Sequence, residues 1–369
     1  MKIAFVLTVH KPVDERVWFQ QAAALRRAGH DVSVVSATKF HFNMQNVFYF
    51  DYRGLQRREI IEKFVFFLKQ IKSDKIICDN PLSILASKRY KKITKQKNLK
   101  IIYDITEFYP SKIHLYYNNF FKNFLKYFLF YCISLYVGFS ANYFIFGEYY
   151  KAKRYKKLFF GKKSIDLSYF ADLRHIKTFP INNEIKKECS FFYAGNLTEN
   201  AGFQTVVKVA EMCAKRFAET QFTLNIISKN ENSKQIHSNS PNLIINYKNF
   251  VPFSEFCQTF GEYDIFFDLR LPDCENTRCL PIKLFYFMAA GRPVVYSDLK
   301  AIRHEVPEVQ EFGFLVNPKN TDDIVEKIGR YINDQKFYEK HCKCARELAE
   351  TKYNWGNIEK SFVEFIENV

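Results

Sequence analysis

Two lysine-rich runs are the clearest candidates for a binding function in the sequence. Lys88–Lys100 (KRYKKITKQKNLK) and Lys151–Lys163 (KAKRYKKLFFGKK) each hold seven basic residues and no acidic one. Such runs attract phosphate groups, whether these belong to nucleic acid or to the headgroups of anionic lipids. A lysine-rich, solvated helix face is the alternative interpretation of either run.

The charge of the chain is divided unevenly. The 369 residues carry a net charge of +16, but residues 1–170 hold 30 Lys+Arg against 12 Asp+Glu, whereas residues 171–369 hold 25 against 27. This asymmetry predicts two units with different partners. A hydrophobic content of 47% excludes a disordered chain, and neither G-x-G-x-x-G nor a P-loop motif occurs among the 12 glycines.

One stretch is apolar enough to raise the question of a membrane span. Residues 127–146 form twenty positions without a charge, which is the length that a bilayer requires. Ser134, Gly138, Ser140 and Asn142 interrupt it. We therefore expect an interfacial or core helix over about residues 119–137, followed by a strand at 143–146, as the alternative to a transmembrane helix.

Cysteine usage bears on the compartment. The nine cysteines show no paired spacing, and the N-terminal apolar run is shorter than that of a signal peptide, so we expect a reducing cytoplasm. His341, Cys342 and Cys344 fall in a predicted helix with no second ligand pair nearby, so no metal site is expected.

Strands and helices alternate twice along the chain. A strand at 3–8, a helix at 15–27 and a strand at 32–36 open the first series, and a strand at 190–194 opens the second. The fold class predicted is α/β, with two Rossmann-like doubly wound lobes facing a cleft. The expected boundaries are 1–170 for the acceptor-side lobe, 171–188 for a linker, 189–350 for the nucleotide-sugar lobe, and 351–369 for a C-terminal helix returning to the first lobe.

Several stretches occur in the order typical of one enzyme family. They are the opening strand, loop and helix at 2–36, the segment IIYDITEFYP at 101–110, FYAGNL at 192–197, PIKLF at 281–285, MAAGRPVV at 288–295, EFGFLVNP at 311–318 and YNW at 353–355. This series resembles the GT-B glycosyltransferases of group 1 (family 4) over nearly the whole chain. In an open α/β lobe, the helix that begins near Ile282 also offers unpaired N–H groups to a diphosphate.

Four charged positions depart from that family's pattern. Where the family has an Arg and a Lys for the donor pyrophosphate, this chain has Asn196 and Ala201. Where the family has two glutamates around the ribose and sugar, this chain has Arg278 and Tyr286, and the family's histidine after the fifth strand is Thr106.

Two accounts of these departures are open. In the first, charges have been exchanged, so that Arg278 and Lys283 provide the cations for the diphosphate, since guanidinium groups bind phosphate bidentately, and Glu275 or Asp273 contacts the ribose. In the second, the donor site has decayed and the protein is a non-catalytic partner of another transferase. A solvated surface turn is the structural alternative for this loop. The resemblance places the remaining donor contacts at Gly195, Asn196, Leu284 and Tyr286.

The resemblance implies that the first lobe binds the acceptor. His10 and Glu107 are the catalytic candidates, with Glu107 assisting proton transfer or acceptor positioning, and Asp14, Arg16 and Thr106 are expected beside the acceptor. The alternatives are a solvated loop histidine, a surface carboxylate, and a helix N-cap for Asp14.

The function implied is transfer of a sugar from a nucleotide-sugar to a saccharide acceptor in glycan or surface polysaccharide biosynthesis. The resemblance implies retention of configuration and no metal cofactor. The basic first lobe favours a lipid-linked acceptor and peripheral attachment to the anionic inner face of the cell membrane. No nucleic-acid partner is expected, because no recognition helix or stacking motif is present. The sugar, the nucleotide base and the linkage are not encoded in any motif.

Overall fold

The computed structural model describes residues 1–40, 44–111, 119–228 and 236–369, which divide into two compact units. The first unit comprises Met1–Tyr169 together with Ile358–Val369, and the second comprises Phe170–Asn357. Each unit contains one parallel β-sheet with helices packed on it. The α/β class predicted from the alternation of strands and helices is thereby confirmed.

The first unit is built on a seven-stranded sheet with the order β3-β2-β1-β4-β5-β6-β7. Its strands are β1 (Lys2–Leu7), β2 (Asp31–Ser36), β3 (Val47–Tyr49), β4 (Lys75–Cys78), β5 (Lys100–Ile105), β6 (Tyr143–Phe146) and β7 (Ser164–Asp166). The central strands are apolar almost throughout, as expected for parallel strands covered on both faces. β7 was not predicted, because three residues are too few to show the periodicity of a strand.

The helices of the first unit connect these strands. A helical segment with π-type turns (Glu15–Ala22) continues as α1 (Ala23–Arg27), and α2 (Arg57–Ile71), α3 (Pro81–Thr94), α4 (Phe120–Ser140), α5 (Tyr149–Leu158) and the C-terminal α12 (Gly356–Asn368) complete the set. Apolar residues of the strands and of α2 to α5 form one core. Among the described residues, no helix is both long and apolar enough to cross a membrane.

The second unit repeats the arrangement with six strands in the order β10-β9-β8-β11-β12-β13. They are β8 (Glu188–Ala194), β9 (Gln221–Ser228), β10 (Leu243–Asn249), β11 (Ile265–Asp268), β12 (Val294–Ser297) and β13 (Gly313–Val316). The helices are α6 (Phe203–Arg216), α7 (Phe253–Phe256), α8 (Ile282–Ala289), α9 (Lys300–Glu305), α10 (Thr321–Asn333) and α11 (Gln335–Thr351).

Residues 171–188, predicted as a linker, lie within the second unit. Arg292 donates a hydrogen bond to the carbonyl of Pro180 (2.6 Å), and Ala171 forms a bridge with Asn354. The last helix belongs to the first unit: Lys75 at the start of β4 donates to the carbonyls of Ile366 and Glu367.

Both sheets reverse their strand order at one place, between β1 and β4 in the first unit and between β8 and β11 in the second. In doubly wound sheets, ligands bind beyond the carboxyl ends of the strands at this reversal, because the connecting helices leave on opposite faces and open a crevice. The residues that follow β1, β4, β8 and β11 are therefore the first to consider for function.

Candidate functional site

At the reversal of the first sheet, a buried carboxylate holds the loop that follows β1. The backbone N–H of Thr8 donates to both oxygens of Asp79 (3.1 and 2.9 Å), and the hydroxyl of Ser83 donates to Asp79 as well (3.2 Å). Burial raises the pKa of Asp79 to about 6, although the His10 charge and these donors oppose the change. Asp79 therefore fixes the backbone that presents His10.

His10 lies beside Asp14, four residues further on. Its Nδ1 is 3.4 Å from Oδ2 of Asp14, while its Nε2 is shielded from solvent and has no hydrogen-bond partner among the residues that the structure describes. Burial acts to lower the pKa of His10, but the hydrogen bond and charge of Asp14, with the charges of Asp79 and Glu107, outweigh it and raise the pKa to about 9. His10 is thus an imidazolium at neutral pH, and its Nε2–H is a buried donor that no described residue accepts.

Asp14 has two functions in this loop. It caps the helical segment that begins at Glu15 by accepting hydrogen bonds from the backbone N–H groups of Arg16 (3.0 Å) and Val17 (3.3 Å), as the N-cap interpretation predicted. Burial acts to raise the pKa of Asp14, but these donors and His10 hold it below its ordinary value.

The pKa of His10 gives a testable pH dependence. Because the folded pKa lies above the ordinary 6.5, the pair stabilises the fold fully below pH 6.5, and this contribution is lost as the pH rises through about 9. We expect the thermal stability of the first unit to fall over that range. In Asp14→Asn, the His10 pKa measured by NMR should return towards 6.5. An unchanged pKa in that variant would show that Asp14 is not the main source of the shift.

Arg16 has an internal position in the first unit. Its guanidinium donates twice to Asp104 at the end of β5 (Nε–Oδ2 3.1 Å, Nη2–Oδ1 3.0 Å) and once to the carbonyl of Leu167 (3.0 Å). Gln21 donates to Asp104 at 2.8 Å, and Tyr169 covers the guanidinium at 4.8 Å. Arg16 was predicted beside the acceptor, and its described contacts instead join β5 to the first helix and to β7.

Thr106 and Glu107 follow β5 at the same edge of the sheet. The carbonyl of Thr106 accepts a hydrogen bond from Lys151, whose buried ammonium is also 2.8 Å from Glu148. Glu107 is exposed, and its charge is near enough to contribute to the raised pKa of His10. The two predicted catalytic residues, His10 and Glu107, thus belong to one electrostatic group.

A small cavity of about 20 Å³ lies under this loop, which is room for one water molecule. It is bounded by apolar strand residues and by the polar side chains of His10, Asp14, Arg16, Gln21, Asp79, Asp104 and Thr106. Within the described part of the chain, the buried Oε1 of Gln21 has no hydrogen-bond partner. These features make the carboxyl end of β1 a concentrated polar site in an otherwise apolar core.

At the reversal of the second sheet, one buried carboxylate faces two cations. Asp268 ends β11 and is 3% exposed. Arg270 donates to it through Nε (2.8 Å) and Nη2, and the ammonium of Lys283, in the first turn of α8, is 3.7 Å from Oδ2. The same ammonium donates to the carbonyl of Ala194 at the end of β8. The ends of β8 and β11 and the start of α8 therefore meet around a net positive charge.

The electrostatics of this cluster favour an anionic ligand. Burial lowers the pKa of Lys283, and the charge of Asp268 only partly offsets this while Arg270 adds to it. Burial acts to raise the pKa of Asp268, but Arg270 and Lys283 hold it below its ordinary value. A phosphate bound here would be met by two cations and by the unpaired N–H groups of a helix start.

The loop after β8 approaches the same cluster. The hydroxyl of Tyr193 donates to the carbonyls of Asn196 (2.7 Å) and Ala201 (3.2 Å), which folds the loop back over the strand end. A Cβ on Gly195 would lie 3.6 Å from the Lys283 ammonium, and one on Gly202 (φ +78°) would lie 2.0 Å from the carbonyl oxygen of Leu269. Only glycine fits at Gly202, and the backbone at Gly195 borders Lys283.

The loop before α8 contains the residues named by the exchange hypothesis. Asp273 accepts hydrogen bonds from the backbone N–H groups of Glu275 (2.8 Å) and Asn276 (2.7 Å), so it caps a short 3₁₀ turn (Asn276–Arg278). Arg278 is exposed, and within the described ranges no hydrogen bond or ion pair of its side chain is found, while Glu275 is half-buried. The structure places Lys283 beside the carboxylate of Asp268, and the second cation beside that carboxylate is Arg270.

Leu284 and Tyr286, both predicted as donor contacts, have side chains in the interior. Leu284 is 0% and Tyr286 is 2% exposed, and the ring of Tyr286 packs edge-on against Phe253 at 5.6 Å. At these positions the side chains hold α8 against the sheet.

Sequence reasoning missed Asp79, Asp268 and Arg270. Each of the two aspartates stands at the end of a buried apolar strand, Asp79 after KIIC and Asp268 after IFF. That position is the available signal, because the ends of parallel strands are where polar side chains converge. The signal for Arg270 is its position two residues after Asp268, a spacing at which Asp51–Arg53 and Asp172–Arg174 also pair.

Comparisons with known proteins concern the family and the fold. Residues 188–334 match the family model described as Glycosyl transferases group 1. A stretch of 103 residues is 34% identical to the sulfoquinovosyl transferase SQD2 of Arabidopsis thaliana, covering 27% of this chain and 19% of that protein. Another of 145 residues is 25% identical to an uncharacterized glycosyltransferase of Haemophilus influenzae and covers 39% of each chain. The chain thus spans well under half of the length of these curated relatives.

Solved structures match over the full length. Sucrose-phosphate synthase from Thermosynechococcus elongatus gives a TM-score of 0.73 at 14% identity, covering 100% of this chain and 99% of that chain. Anabaena HepE, solved in complex with UDP-glucose, gives 0.73 at 14% identity and covers 100% of both chains. WaaG, a glycosyltransferase involved in lipopolysaccharide biosynthesis, gives 0.69 at 11% identity over 98% of each chain. These likenesses establish the fold.

Proposed function

We propose that this chain is a group 1 glycosyltransferase that transfers a sugar from a nucleotide-sugar donor to a saccharide acceptor. The match of residues 188–334 to that family model and the two Rossmann-like units of the GT-B fold support this proposal. The second unit binds the donor diphosphate and the first unit binds the acceptor. The observation that carries this proposal is the cluster of Asp268, Arg270 and Lys283 at the strand reversal of the second sheet.

The donor diphosphate binds at this cluster as a second anion beside Asp268. Lys283 and Arg270 supply the positive charge that the family places elsewhere, at the positions occupied here by Asn196 and Ala201. Asp268 is buried and fixes both cations before the donor arrives, so little reorganisation is needed on binding. Charge neutralisation by these side chains and by the start of α8 requires no metal ion, which we propose is not used.

In the first unit, His10 and Glu107 are the groups proposed to act on the acceptor. With a pKa of about 9, His10 is already protonated at neutral pH and acts as a hydrogen-bond donor through Nε2 rather than as a general base. The exposed Glu107 is the carboxylate available to accept a proton from an acceptor hydroxyl. We propose retention of anomeric configuration on the strength of the family resemblance alone.

The acceptor proposed is a lipid-linked saccharide used in surface polysaccharide or glycan assembly at the inner face of the cell membrane. Its support is the charge of residues 1–170, which hold 30 basic and 12 acidic residues. An anionic surface attracts each lysine or arginine near it with about 1 kcal/mol.

A donor panel tests the proposal. Isothermal titration of the purified protein with UDP, GDP and CMP, each with and without EDTA, should show binding of one nucleoside phosphate that EDTA leaves unchanged. The matching sugar nucleotide, incubated with a membrane extract, should yield a glycosylated lipid detectable by mass spectrometry. Failure of all three nucleotides to bind would contradict the proposed donor site.

The second candidate function is a non-catalytic, transferase-like subunit. It is favoured by the replacement of both family glutamates, by Arg278 and Tyr286, because the latter side chain is buried. The same titration separates the two. Nucleotide binding without sugar transfer or donor hydrolysis supports the subunit, whereas turnover supports the enzyme.

A further inference from the structure

Helix α4 leaves most of its large apolar side chains in solvent. Phe120 is 85% and Phe121 is 67% exposed, and Phe124, Leu125, Phe128 and Leu129 are each more than half exposed. The residues of α4 that are buried are Phe130, Ser134, Val137 and Gly138, which form a single stripe. Contiguous exposed apolar surface of this kind marks an interaction site.

The exposed residues cover a wide arc of the helix. At about 100° per residue, Phe120, Phe124, Phe128, Phe121, Leu125 and Leu129 occupy successive positions across about 180°, and Tyr127 extends the arc to about 200°. We call these seven residues the α4 apolar face. Lys122 and Lys126 follow at the edge of the arc, between the apolar face and the buried stripe. Lysines at such an edge keep their ammonium groups in water while their stems lie on apolar surface.

The surroundings of the apolar face are positive. Residues 120–140 contain no acidic residue. At the C-terminal end of α4, Lys162 donates to the carbonyls of Gly138 (2.9 Å) and Phe139 (2.9 Å), which ties the loop after α5 to the helix. In that loop Phe160 is 95% exposed and Lys163 follows it in the sequence.

We propose that the α4 apolar face inserts into the interface of an anionic lipid bilayer, with the helix lying in the membrane plane. A convex apolar face with lysines at its edge matches the boundary between headgroups and acyl chains, where apolar side chains insert and ammonium groups stay in water. The flanking lysines favour anionic headgroups. The inference deepens the proposed function, since it rests on an acceptor held at the membrane and names the element that reaches it.

Vesicle flotation with matched variants tests the insertion. The wild-type chain should float with phosphatidylcholine vesicles that contain phosphatidylglycerol. Phe124→Gln/Phe128→Gln should bind these vesicles at least about tenfold more weakly, because two large apolar groups no longer enter the interface. Phe66→Gln/Ile244→Gln is the control, since those side chains are 57% and 52% exposed on other elements. Equal binding by both double variants would overturn the proposal.

Two native cysteines allow a direct measure of depth. Cys132 is exposed on α4, at about 120° within the arc, and Cys274 is exposed in the second unit. A nitrobenzoxadiazole label on Cys132, in Cys274→Ser, should shift to the blue and brighten on vesicle addition. The label on Cys274, in Cys132→Ser, should not respond. No response at Cys132, or dimerisation lost in Phe124→Gln/Phe128→Gln without vesicle binding by the wild-type chain, would overturn the proposal.

Separate measurements test the donor site and membrane insertion by α4. Nucleotide binding in solution depends on the second unit, so it should be the same in Phe124→Gln/Phe128→Gln and in the wild-type chain. Lost vesicle binding with retained nucleotide binding supports membrane insertion by α4. Vesicle binding without any nucleotide binding would leave α4 as a membrane element and overturn only the proposed donor site.

Discussion

Replacing Lys283 by methionine is expected to weaken nucleotide binding by about 30- to 150-fold, which corresponds to about 2–3 kcal/mol. The ammonium lies at the meeting point of β8, β11 and α8, bonded to the carbonyl of Ala194 and 3.7 Å from Asp268. A bound diphosphate would gain a charge-assisted hydrogen bond there in a partly desolvated site. Methionine keeps the length of the side chain and removes the charge. Titration with the nucleotide that the wild-type chain binds gives the ratio of the dissociation constants of the variant and the wild-type chain.

Two further variants show whether the position matters or only the charge. Lys208→Met removes a lysine from an exposed site on α6 and should leave nucleotide affinity unchanged. Arg278→Met tests the exchange hypothesis as formed from the sequence, and because this side chain is exposed it should lower affinity less than Lys283→Met. A larger loss in Arg278→Met than in Lys283→Met would move the diphosphate site away from the Asp268 cluster.

Replacing Asp104 by asparagine should destabilise the first unit by about 3–5 kcal/mol, because one partner of a buried ion pair is removed. The Arg16–Asp104 pair is almost wholly enclosed, with side chains 8% and 5% exposed, and Asp104 accepts three hydrogen bonds from Arg16 and Gln21. Asparagine leaves the guanidinium charge buried and offers one acceptor oxygen in place of two.

Hydrogen exchange measured peptide by peptide reports this loss within the first unit. Peptides from β1 and β5 should exchange faster in Asp104→Asn, while peptides from β8 and β11 serve as an internal reference in the second unit. The double variant Arg16→Met/Asp104→Leu should lose less stability than Asp104→Asn, since no charge is left unpaired. A change below about 1 kcal/mol in Asp104→Asn would mean that the pair contributes little.

The framework of the fold was open to prediction because buried parallel strands are continuous apolar runs. Ile3 to Leu7 and Ile76 to Cys78 have nowhere to pack except in a sheet interior, and helix stops such as Gly29 separate them. The pairing of strands at the sheet edges was harder to predict. β7 has only three residues, too few to show a periodicity, so only its pairing with β6 defines it as a strand.

The charged runs show why the site was harder to predict than the fold. A run of lysines is uniform in sequence, but the second run divides in the structure: Lys151 pairs with the buried Glu148, Lys156 with Asp166, and Lys162 with the end of α4. Arg270 follows Asp268 by two residues, the spacing at which Asp51–Arg53 and Asp172–Arg174 also pair, whereas Arg278 has no such partner two residues before it. What the sequence does not reveal is that Lys283 joins the same carboxylate, because that depends on tertiary contacts.

The apolar stretch at 127–146 illustrates the same limit. Its composition was compatible with a span, an interfacial helix or a core helix. The buried residues of α4 lie between Phe130 and Gly138, so the core of the unit covers the C-terminal half of the helix and leaves the large apolar side chains of residues 120–129 exposed. Hydropathy alone does not reveal this, because it measures how apolar a segment is and not how much of the segment packs against the core in the folded unit.

The most direct test of the donor site is a crystal structure of this protein with UDP, or with whichever nucleoside diphosphate binds best in solution. The site described here predicts a phosphate oxygen within about 2.7–3.2 Å of the Lys283 ammonium, beside Arg270 and at the start of α8. A diphosphate bound elsewhere, with Lys283 still held by Ala194 and Asp268, would contradict it.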